Sequence, residues 1–295
     1  MLHDMTLLGC AQIALAAGAD LAFALAVGAV VLSLGGPARW HVSTSALLAW
    51  LVLQAIYLPL QTSAMIDVPF ITALDLMPKV LNLSHYGEMW RIGYAAGLAA
   101  WLIAAVAART RLPDMIGNLL IVTALAAMAY AHAGTSHAAD SGNFSAAELV
   151  QTVHLLAISV WVGIVIAAAW PLRRAFAATP DRAAGDTSRL SHLATLSFPV
   201  ALGTGIASAY WGLGGSLASL TSGLWGWLLC VKVIAVVGIL MIAALNRLRY
   251  LQHVRRGDPD ALTVFRRLLG VEAWLMIGVV IIAAALAHTM PPAMV

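Results

Sequence analysis

Eight long apolar runs dominate this chain, at about residues 9–34, 43–66, 91–108, 114–132, 148–171, 190–213, 223–245 and 267–288. Each reaches or approaches the roughly 20 residues that a helix needs to cross a bilayer core. In lipid no water satisfies a backbone amide, so a spanning segment must be a helix or part of a closed barrel. The runs are too long and too uniformly apolar for barrel strands. The expected fold is therefore an all-α integral membrane protein with eight transmembrane helices in one domain spanning 1–295. Of the 295 residues 62% are hydrophobic and 10% charged, which leaves no room for a soluble domain of ordinary size. The longer connections are 67–90, 172–189 and 246–266. No basic leader precedes the first run, which is expected to be a retained span. The small-residue stretches GYAAG at 93–97 and GTG at 203–205 suit close helix approach.

Orientation follows from the arginines. Arg39, Arg109, Arg111, Arg173, Arg174, Arg182, Arg189, Arg247, Arg249, Arg255, Arg256, Arg266 and Arg267 fall in alternate loops, 13 of the 16 basic residues. Lys79 and Arg91 alone lie in the opposite loops, and Lys232 lies inside a run. The positive-inside rule puts the arginine side in the cytoplasm and both termini outside it, in the periplasm if the cell has one. The net charge of +3 is small, so nucleic-acid binding is a poor reading. Cys10 and Cys230 form no CxxC, which leaves no thiolate knuckle.

Soft metal ligands crowd the other face. His3, His85, His132, His137, His154 and His288 are assigned there, six of nine histidines, with His41, His192 and His253 opposite. Met1, Met5, Met65, Met77, Met89, Met128, Met290 and Met294 join them, eight of eleven methionines. Imidazole and thioether without thiolate favour copper, since thioether selects Cu(I) and imidazole suits either oxidation state. Met1-Leu2-His3 offers an amine, two backbone nitrogens and an imidazole to Cu(II) in a plane, with Met5 beside it for Cu(I). His132 closes the fourth run, with Met128 four residues before it on the same helix face. His154 opens the fifth, and the short loop between them, which carries His137, is expected to let the two imidazoles meet. His288 closes the last run ahead of Met290. His85 and Met89 would share a face if their loop is helical. Trp161 is a candidate wall.

Charges inside the membrane are costly and therefore informative. Asp20 and Lys232 lie at similar depth and are expected to pair. Glu272 stands near the cytoplasmic end of the eighth run. Gln12 and Gln54 are candidates for bonds across helices. Met241 and Met276 read as packing.

The runs VQTVHLLAISVWVG, RLSHLATLSFPVALGTGIASAYWGL and WGWLLCVKVIAVVGILMIAALNRLR resemble the copper resistance protein D (CopD) family, most clearly over about 148–250. The pattern HLxAxxxWxG, the lysine of the seventh run and ALNRLR carry the likeness, and AHAG at 131–134 resembles the family's histidine after the fourth span. The resemblance implies an inner-membrane copper protein of a bacterial cell, thought to move copper from periplasm to cytoplasm. It also implies a periplasmic copper binder (CopC) as partner, here expected to be a separate chain.

The leading expectation is thus a membrane transporter rather than an enzyme, one that captures Cu(I) or Cu(II) at the outer face and passes it inward. A copper storage or delivery protein without transport is a variant, because the inner half of the runs offers few ligands. A haem b redox protein, with axial ligands drawn from His132, His154 and His288, is the reading of a different class. An assembly factor with incidental histidines is the plainest. The chain has no Walker motif, so transport would run on gradients.

Overall fold

A computed structural model describes residues 7–34, 40–109, 114–174, 180–221 and 223–294. The described chain is helical: α1 (Leu7–Ser33), α2 (Trp40–Ile66), α3 (Phe70–Leu83), α4 (His85–Ala107), α5 (Asp114–Ala133), α6 (Ala146–Ala169), α7 (Pro180–Gly212), α8 (Leu224–Leu245), α9 (Leu251–Arg255) and α10 (Pro259–Ala287). Eight of these segments are long and apolar enough to cross a membrane, with α8 and α9 forming one through a π-helical turn at Asn246–Tyr250. The eight expected spans are present among the described residues.

Their limits differ from the expected ones in instructive ways. The third span starts at His85, six residues before the apolar run. Ser84 caps it by accepting a hydrogen bond from the Gly87 amide at 3.0 Å, as a short hydroxyl side chain does at a helix start. The connection before it is not all loop, because α3 is a helix of 14 residues between α2 and α4. It is far too short to span. At 33 residues α7 runs to about 50 Å, longer than a bilayer core, so its arginine-bearing start extends beyond the hydrocarbon.

The core forms around α1 and α6, which hold the two most buried apolar windows. They touch backbone to backbone. A β-carbon at Gly28 would lie 2.1 Å from the Gly163 carbonyl carbon, and one at Gly163 would lie 1.8 Å from the Ala24 carbonyl oxygen. Only glycine permits that approach, and in lipid such close van der Waals packing is a main source of helix association. Around this axis α2, α4 and α5 pack on one side and α7 and α10 on the other, with α8 laid on α10. The outer surface of α8 exposes Val231, Val233, Ile234, Val237 and Met241, a face suited to lipid.

One end of the bundle belongs to the arginines. The Arg189 guanidinium donates to the Val31 carbonyl at 3.0 Å and to the Leu34 carbonyl, which are among the acceptors left over at the end of α1. A cation there also suits the helix dipole. Arg255 reaches Ser188 at 2.8 Å, and Arg247 reaches Thr195. The ends of α5 and α10 that carry His132 and His288 lie at the opposite end of their helices.

Candidate functional site

At the histidine end a cavity of about 330 Å³ opens among α1, α2, α4, α5 and α10. Asp20 of α1 faces it. A carboxylate inside a span needs a partner, and here the partner is His132, whose Nε2 stands 3.8 Å from Asp20 Oδ1. His288 is the second histidine near Asp20. The expected Asp20–Lys232 pair is therefore replaced by an Asp20–His132–His288 group.

His288 is oriented from two sides. Its Nδ1 lies 2.7 Å from the Ala284 carbonyl oxygen, one turn back on α10. A carbonyl only accepts, so Nδ1 carries a proton. Nε2 is turned to the Tyr57 hydroxyl at 3.0 Å. The Tyr57 hydroxyl also lies 3.0 Å from Gln61 Oε1, which accepts from Gln12 Nε2 at 3.1 Å; its single proton serves one of His288 Nε2 and Gln61 Oε1 at a time. This chain of polar groups ties α1, α2 and α10 together and aims one imidazole nitrogen into the cavity. Holding a ligating histidine by its far nitrogen fixes ring orientation and tautomer.

Soft donors complete the lining. Met128 lies one turn before His132 and Met89 reaches in from α4; both are buried. His137, at the start of a short 3-10 helix, lines the mouth with Thr135 and Ser136. Trp50 and Trp90 form aromatic wall, and Trp90 is stacked on Tyr94 with centroids 4.6 Å apart. The cavity thus gathers two imidazoles, two thioethers and one carboxylate, with a third imidazole at its edge. Among the described residues no three of His, Cys, Asp and Glu already close on one point as a metal site.

Of the expected ligands, His132, His137, His288 and Met89 line this cavity. His154 does not join them, against expectation. Its Nδ1 lies 3.1 Å from both the Ala201 carbonyl oxygen and Thr204 Oγ1 on α7, and its charged neighbour is Lys232 of α8. The cause is rotational. His154 precedes Gly163 by nine residues, about two and a half turns, so it emerges from the opposite side of α6. Packing Gly163 on α1 therefore turns His154 away from Asp20. Trp161 packs on Phe198 of α7, with centroids 5.2 Å apart, instead of walling the site. His85 and Met89 share α4, but His85 is exposed in the first turn and lies outside the lining, as does the exposed Met290. Met1, His3 and Met5 lie outside the described residues.

Tyr57 and Gln61 were not picked out from sequence, although Gln54 was. Gln54, Tyr57 and Gln61 form a stripe at i, i+3 and i+7 on α2, with Trp50 one turn earlier. That spacing marks one helix face and was a legible signal. The inner half of the bundle is different in character. Inward from His288, α10 presents Ala284, Val280, Met276 and Glu272 one turn apart, all buried. Glu272 accepts from Asn246 Nδ2 at 3.3 Å. Met276 is packed in the core and Met241 faces outward.

Residues 4–147 match the family described as copper resistance protein D-like, N-terminal domain, and residues 184–286 match the family described as copper resistance protein D. No curated protein and no solved structure matches the chain.

Proposed function

The chain belongs to the copper resistance protein D family, and from that premise we propose that it captures copper in the cavity at its histidine end and passes it across the membrane. The observation that carries this reading is the convergence of Asp20, His132, His288, Met89 and Met128, from four helices, on one cavity. Imidazole and thioether together suit copper. The carboxylate offsets the cation's charge in a partly buried cavity. His288 Nε2 and His132 Nε2 would bind the ion, with Tyr57 giving up its bond to His288 as the ion arrives. The arginine end faces the cytoplasm under the positive-inside rule, so capture takes place in the periplasm and flow is inward. A separate periplasmic copper protein would fit as donor.

The test replaces both histidines at once, His132→Ala with His288→Ala, in the full chain reconstituted in lipid. Copper affinity should fall by more than the roughly 10- to 100-fold that loss of an outer-shell partner costs, and uptake into vesicles should be lost. Unchanged copper content would leave these histidines a structural role.

A second reading, delivery or storage at the outer face without transport, has its own support. From His288 to Met276 is 12 residues of α10, about 18 Å, and the buried side chains on that face between them are Val280 and Ala284. Vesicle uptake separates the two, because a storage protein binds copper without accumulating it inside. The haem reading loses one of its three axial candidates, because His154 stands apart from the cavity on the α7 side.

A further inference from the structure

Behind Met89, outside the cavity lining, lies a carboxylate with one oxygen unused. Glu148 is wholly buried at the start of α6. Part of it is structural. Ser145 caps α6 by accepting from the Glu148 amide at 3.2 Å, and Glu148 Oε2 accepts from the Phe144 amide at 2.6 Å, close to the reciprocal cap of a capping box. The Tyr130 hydroxyl donates to the same Oε2 at 3.4 Å. Oε1 has no hydrogen-bond partner. A buried carboxylate oxygen left without a donor is strongly unfavourable, and capping requires only the other oxygen.

Oε1 points at a place where another donor also points. Gly134 follows α5 and sits two residues after His132. A β-carbon there would lie 2.8 Å from Met89 Sδ and 3.1 Å from Glu148 Oε1. The thioether and the orphan oxygen therefore converge over a residue with no side chain. Met89 itself lines the cavity, so this place adjoins that space.

We propose that Met89 Sδ and Glu148 Oε1 form a second station for Cu(I), over Gly134 and next to the main cavity. The thioether selects the cuprous ion. A carboxylate beside the cation offsets part of the penalty of burying the ion alone. With two protein donors the station is the weaker of the two, as a relay at the mouth of a tighter site should be. The proposal rests on the copper reading above but not on which histidines hold the ion.

The experiment uses the full chain in lipid nanodiscs and titrates Cu(I) without oxygen against a colorimetric Cu(I) chelator. In the variant lacking both His132 and His288 side chains, one weaker Cu(I) should remain bound. Adding Glu148→Gln should weaken that ion about tenfold or more, since the amide keeps the cap to Phe144 and removes only the charge. Met89→Leu in the same background should do likewise, with loss of the sulfur signal in copper X-ray absorption. If the background variant is folded and binds no Cu(I), or if Glu148→Gln leaves the residual affinity within about twofold, the station does not exist. If the double histidine variant binds as tightly as wild type, the cavity reading fails, while the Glu148 variant still decides the station, since Glu148 lies outside the cavity lining.

Discussion

Replacing Asp20 by Asn isolates the charge at the centre of the cavity. Asn has nearly the same shape and still accepts a hydrogen bond, so helix packing should survive. Asp20 Oδ1 is 3.8 Å from His132 Nε2, and an ion bound at that nitrogen stands at comparable range from the carboxylate. Two unit charges about 4 Å apart attract by about 1 kcal/mol in water and about 4 kcal/mol at an effective dielectric constant near 20. The Asp20 and His132 side chains are 30% and 37% exposed, so screening is partial and a middle value of about 2 kcal/mol applies. That corresponds to about a 30-fold loss of Cu(I) affinity. Chelator competition in nanodiscs reads it, with a melting curve to verify the fold. A folded Asp20→Asn variant with affinity within about twofold of wild type would show that the carboxylate does not face the ion.

Two further outcomes follow from the geometry. Tyr57→Phe removes the hydroxyl that occupies His288 Nε2 at 3.0 Å; the ion then has no bond of about 1 kcal/mol to displace, and copper affinity should rise about fivefold in the same titration. Gly163→Ala places a methyl 1.8 Å from the Ala24 carbonyl oxygen and 2.9 Å from the Gly28 amide nitrogen. Backbone cannot yield there, so stability should drop by at least the roughly 1–3 kcal/mol typical of overpacking, read as a lower melting temperature in detergent.

The eight spans could be read from the chain alone because hydropathy is a local property: each run contains enough apolar residues to span whatever its neighbours do. Helix ends were harder, since Ser84 and the turn after it start α4 by hydrogen bonding before the apolar run begins. The helical α3 was missed for a related reason, as its mixture of Asp75, Pro78 and Lys79 with apolar residues resembles a loop.

The depth of a histidine is likewise a matter of counting residues, and His132, His154 and His288 were placed near one end on that basis. Which of them meet depends on how each helix is rotated about its axis, and no count along a single helix contains that angle. The close seam of Gly28 and Gly163 sets it for α6, sending His154 to α7 and leaving His132 and His288 with Asp20. Residue types and spacing thus named copper and a membrane face. The grouping of Asp20, His132 and His288 at one cavity, and the buried Glu148 beside Met89, came into view only when the rotations of six helices were known together.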